Sequence, residues 1–129
     1  MEEDFRTALL AASGVTSLVP AGRINWGEHP QGADKPYITL MTVSDNEGLT
    51  QQGPDGLFQG RVQVDCCAPT YEQAKQVSRA LRTALHGYRG GGFGLVTHVA
   101  TRDSREGGTN EAERLFRVSL DFTTAWRAT

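Results

Sequence analysis

The chain has 129 residues, 13 basic and 15 acidic side chains, and a formal net charge of -2. One core of ordinary size accommodates that length, so folding requires neither disulfides nor a metal, and the near-neutral charge argues against tight, sequence-independent nucleic-acid binding. Hydrophobic residues make up 38% and charged residues 22%, a globular balance, while the 15 glycines, about 12% against a usual 7% or so, point to many connecting segments.

No apolar run approaches the roughly 20 residues needed to cross a bilayer. The start, Met1-Glu-Glu-Asp-Phe5, is acidic where a secretory leader is basic and then apolar. A chain that is soluble and intracellular when made is the expectation. Cys66 and Cys67 are the only cysteines and are neighbours. On a strand they point to opposite faces, so one buried and one half-exposed free thiol is expected.

The first predicted element is a helix over residues 2–13. Phe5, Ala8, Leu9 and Ala12 recur at helical spacing. Glu2, Glu3 and Asp4 favour its first turn, Gly14 stops it, and residues 15–19 add a further turn. Residues 20–36 read as irregular, with Pro20, Gly22, Gly27, Pro30, Gly32 and Pro36. Arg23, Ile24, Trp26 and His29 lie within this segment. Trp26 either covers its own core or meets another subunit.

Residues 37–44 read as a strand rich in β-branched and aromatic side chains. Residues 57–67 form a second, with Phe58, Gly60, Val62, Val64 and Cys66 on one face and Gln59, Arg61, Gln63 and Asp65 on the other. That alternation suits an antiparallel sheet with one buried face. Residues 45–56 between them read as a loop of about a dozen residues, longer than a hairpin needs, which marks a functional or a disordered loop.

Thr70 and Gln73 fit a capping box opening a second helix, with Ala74, Val77, Leu81, Ala84 and Leu85 on one face and Gly87 at its end. Residues 89–94 are a glycine-rich connection. They follow a helix and precede a strand, the reverse of a phosphate-binding loop. A third strand covers residues 95–102, a polar stretch residues 103–111, and a last strand residues 113–126. The expected architecture is α+β in the order α-β-β-α-β-β: one small antiparallel sheet with two helices packed on its apolar face, as a single domain over residues 1–129.

No residue set suggests catalysis. His29, His86 and His98 lack ligand spacing, there is no Gly-x-Ser-x-Gly, and Cys66 shares an apolar face. Neither catalytic nor metal residues nor a cofactor is expected. Arg61, Asp65, Arg117 and Asp121 fall on one side of the sheet, available for cross-strand pairs or for a wet subunit interface.

The segments Leu18-Val-Pro-Ala-Gly-Arg-Ile24, Pro30-Gln31, Lys35-Pro-Tyr-Ile-Thr-Leu40, Gly60-Arg-Val-Gln-Val-Asp65, Thr70-Tyr-Glu-Gln-Ala74 and Leu85-His-Gly87 are carried in an order and spacing that resembles the tail-completion, or tail-terminator, proteins of long-tailed phages and phage-like gene transfer agents. The resemblance implies a structural virion protein. It implies a ring, six-membered in that family, that caps the tail tube, ends its polymerisation and joins the tail to the head connector. DNA would transit the lumen without specific binding. Its partners would be its own copies, the tail tube protein and the connector protein, with no membrane. It would assemble in the host cytoplasm and end in the particle's tail. Arg23, Trp26, Arg61 and Arg117 are the candidate subunit interface. Glu47, Leu49, Gln51, Gln52 and Asp55 are the candidate loop toward tube or connector. A head-closure or connector ring is the alternative reading, and a small-ligand binding module a more distant one.

Overall fold

The computed structural model describes residues 2–27, 36–90, 92–106 and 115–127. The elements are α1 (Glu2–Leu10), α2 (Ser13–Thr16), a 3-10 turn (Ala21–Arg23), β1 (Ile24–Trp26), β2 (Tyr37–Thr50), β3 (Gly53–Ala68), α3 (Tyr71–Leu85), β4 (Tyr88–Gly90), β5 (Phe93–Glu106) and β6 (Leu115–Arg127). The six strands form one sheet in the order β1-β2-β3-β6-β5-β4. The α+β expectation holds in outline, but the molecule is richer in sheet than the sequence reading. The sheet is mixed, because β1 pairs in parallel with β2 through Ile24↔Ile38 and Trp26↔Leu40. Every other pairing is antiparallel.

The expected helix over residues 2–13 ends earlier, at Leu10, and the further turn expected at residues 15–19 is the separate short helix α2. Leu9 and Val15 are both buried. Six residues apart on a straight helix they would point about 240° apart. A break at Ala12, whose backbone is extended at φ -86° and ψ 102°, turns Val15 back to the core. The second helix forms as its sequence dictates: Thr70 is the N-cap, its side chain accepts from the Gln73 backbone N–H at 3.2 Å, and Gly87 follows the end at φ +81°.

Helices and the inner sheet face enclose one core, with Phe5, Leu9, Val19, Ile38, Leu40, Val62, Val64, Leu81, Leu120 and Phe122 fully or almost fully buried. Phe5 is its aromatic hub. Its ring meets Trp26, Phe93 and Phe122 edge-on at centroid distances of 6.0, 6.1 and 6.5 Å.

Residues 45–56 are not a long loop: β2 and β3 stay paired through Asp45↔Gly60, Glu47↔Phe58, Leu49↔Pro54 and Thr50↔Gly53, leaving only Gln51 and Gln52 as the turn. Backbone pairing satisfies the peptide groups whether or not the side chains are apolar, so polar residues continue the ladder. Of the glycine-rich residues 89–94, Arg89 and Gly90 belong to β4 and Phe93 and Gly94 to β5, with the pairs Tyr88↔Val96 and Gly90↔Phe93, and Gly91 lies outside the described residues. Cys67 is as buried as Cys66, each 1% exposed. Of the polar stretch at 103–111, residues up to Glu106 continue β5. The rest, with His29 and the start of the last expected strand, lies outside the described residues.

Candidate assembly surface

The outer sheet face, opposite the helices, carries a chain of polar contacts across three strands. At its centre is Asp121 on β6, whose side chain is only 4% exposed. Arg61 on β3 donates from Nη2 to Asp121 Oδ2 at 2.8 Å. Arg102 on β5 donates from Nη1 to the same oxygen at 2.6 Å and from Nη2 to Oδ1 at 3.4 Å. Arg102 Nη2 also reaches Gln63 Oε1 at 3.4 Å, and Gln63 Nε2 donates to Asp65 Oδ1 at 3.0 Å. One carboxylate is thus clasped from both flanking strands, and of the four charged residues the sequence puts on this face, Arg61 and Asp121 form a cross-strand pair.

Burial alone pushes the Asp121 carboxyl up. The hydrogen bonds from Arg102 and Arg61, and their charges, outweigh it and hold the group below its ordinary 3.8. The lowered value stabilises the fold at all pH values above the ordinary carboxylate range, and that stabilisation is lost as pH falls through the lowered value. Asp121→Ala is expected to cost about 1–3 kcal/mol at pH 7. Urea midpoints at pH 7 and pH 3 check it: the gap between wild type and variant should narrow at the lower pH.

Arg102 was not foreseen, for a definable reason. Strict alternation from Thr97 would turn it inward. A bulge at Val99, between the pairs His98↔Phe122 and Ala100↔Asp121, shifts the parity by one. A matching irregularity in β2 leaves Val43 out between Thr42 and Ser44. Val43 and Val99 are about half exposed, at 52% and 48%.

The four candidate interface residues do not form one patch. Arg61 and Arg117 lie on the outer face, Arg61 at the middle of β3 opposite Thr123 and Arg117 on β6 opposite Cys67, near the end of β3. Arg23 ends the 3-10 turn. Trp26 lies on the helix side of the edge strand, half-buried, its ring against Phe5 and its Nε1 donating to the Glu2 carbonyl at 3.0 Å. It covers its own core. Arg117 neighbours Cys67. Burial raises that thiol above its usual value, while hydrogen bonds to Arg117 and Tyr37 draw it part-way back. Burial, with the charges of Cys67 and Asp65, raises Cys66 further. Both therefore remain protonated at neutral pH, which makes them poor nucleophiles. Cys66 and His98 are not cross-strand neighbours, because β6 runs between their strands.

The candidate contact residues Glu47, Leu49, Gln51, Gln52 and Asp55 belong to the end of the β2–β3 hairpin. Among the described residues β6 pairs with β3 only from Leu57, so this end is a two-stranded arm. Glu47 Oε2 accepts from the Gly56 N–H at 3.3 Å, Gln51 and Gln52 are exposed, and Leu49 is 79% exposed, the most exposed large apolar residue described.

No group of three or more His, Cys, Asp or Glu among the described residues is placed to hold a metal, and no helix there is long and apolar enough to cross a membrane. Residues 3–127 match a family model described as tail completion protein gp17. Among solved structures, a chain from the virion of a native gene transfer agent particle is similar over 95% of this chain and 90% of its own, at 17% identity and a TM-score of 0.64. A second solved chain is similar over 100% of this chain and 99% of its own, at 16% identity and a TM-score of 0.51. No curated protein matches.

Proposed function

This chain belongs to the tail completion protein gp17 family, and from that premise we propose that it is a tail terminator: a ring that caps the tail tube, ends its growth and joins the tail to the head connector. The observation that carries the proposal is the family match along residues 3–127. The fold shared with a chain of a gene transfer agent virion is in keeping with it.

A closed ring of identical copies needs a head-to-tail interface, in which two different surfaces of the same chain meet. The outer sheet face with Arg61 and Arg117, and the edge carrying Arg23 and Trp26, are two such different surfaces, on opposite sides of the sheet. The ring is six-membered by analogy with related terminators, its partners are the tube and connector proteins, and DNA passes through the lumen. A formal charge of -2 suits that passage, because a conduit rich in positive charge would hold the phosphate backbone.

Particles assembled without this chain test the proposal. Electron micrographs should show tails of irregular length detached from heads. Tails of normal length joined to heads would overturn it.

A further inference from the structure

A groove of about 500 Å³ runs between the α1–α2 junction and α3, floored by Ala11, Ala12, Ala80 and Ala84. Arg79 stands on its rim. Next to it lies a second depression lined by Arg79, Arg82, Thr83 and His86. Both arginines are exposed, and among the described residues neither forms an ion pair. The helix layer therefore offers a shallow apolar slot with a positive border.

The arm has the opposite character. Residues 45–56 contain Asp45, Glu47 and Asp55 and no basic residue. Near the tip, Leu49 projects into solvent. The arm cannot be serving the groove of its own copy, since Leu49 is 79% exposed. An exposed leucine near the acids Asp45 and Glu47 and an alanine-lined slot bordered by arginines are complementary in polarity and in charge.

We infer that the hairpin arm of one copy seats Leu49 in the α1–α3 groove of the next copy, with its carboxylates against Arg79 and Arg82. The inference rests on the ring reading above and gives it a specific head-to-tail contact. Arm and groove are different surfaces, so the contact propagates from copy to copy and closes only by rotation. The occupant is a second copy of this chain, and the tube or connector protein is the competing outcome.

The test is a thiol cross-link in assembled tails carrying Leu49→Cys and Ala11→Cys together. Cys66 and Cys67, each 1% exposed, leave the two new thiols as the reactive pair. A ladder of covalent multimers of this chain on a non-reducing gel is expected. Adducts with another tail or head protein, or monomer alone from particles whose tail end shows the ring, would overturn the inference and leave the ring standing. Monomer from particles that show no ring would overturn both. As a second arm, Arg79→Glu with Arg82→Glu should lower incorporation tenfold or more, and adding Asp45→Lys with Glu47→Lys should restore it. Failure of the charge reversal to restore incorporation of a folded protein, checked by circular dichroism, counts against the contact.

Discussion

Phe5→Ala is expected to lower stability by about 3–5 kcal/mol, the range for removing a fully buried aromatic ring. Phe5 is 0% exposed and touches the rings of Trp26, Phe93 and Phe122, which come from two edge regions and the sheet centre. Few side chains in the molecule connect so many elements. The loss has a second component. The helix that carries Phe5 also receives two indole hydrogen bonds, from Trp26 to the Glu2 carbonyl and from Trp126 to Asp4 Oδ2 at 2.9 Å. With its anchor gone, α1 loosens and both indoles become more exposed. Urea unfolding followed by tryptophan fluorescence should show a lower midpoint and a red-shifted native spectrum. Phe5→Leu, which retains most of the volume, should recover a large part of the loss.

Gly92→Ala is the second large effect, expected at about 2–4 kcal/mol from left-handed strain and a displaced, part-buried hydrogen bond together. Gly92 has φ +90°, and a Cβ there would stand 2.6 Å from Trp126 Nε1 and 3.1 Å from its Cδ1. The indole cannot simply yield, because its N–H is committed to Asp4 and its ring lies on Phe58 at a centroid distance of 5.8 Å. Gly92 also accepts from the Arg127 N–H at 2.9 Å. Gly14→Ala and Gly22→Ala are the controls, since their Cβ atoms would meet open space and neither has positive φ. Both should stay within about 0.5 kcal/mol of wild type. Thermal melts of the three variants decide between a positional effect and a general intolerance of glycine replacement.

The sequence made some of this legible and hid the rest for physical reasons. The inner faces of β3 and β6 alternate with period two over apolar residues, and α3 announces itself by Thr70, by its stripe of Ala74, Val77 and Leu81, and by Gly87. These elements bury one face and so must be patterned. The β2 stretch from Asp45 leads into an arm that, among the described residues, has no third strand beside it beyond Leu57. Its Asp45, Asn46 and Glu47 carry no alternation, and a chain without alternation reads as a loop. The strands β1 and β4, three residues each, are too short for periodicity to register. That Arg61 and Asp121 share the outer face was readable because both lie on strands with regular alternation. Arg102 was not, because one unpaired residue at Val99 inverts the face of everything after it.

The central pairing, β3 beside β6, sets how the chain can reach this structure. Each half is a local unit, helices followed by a hairpin, whose strands lie close together in sequence. Val62 and Phe122, partners across the middle of the sheet, come from different halves. Contacts between such distant segments require the closure of a long stretch of chain before any of them forms. Neither hairpin has a complete inner face until that closure, so the two halves gain their core in one step. Folding should accordingly be limited by the meeting of the halves, with β3–β6 contacts absent from early species and the β2–β3 hairpin present in them.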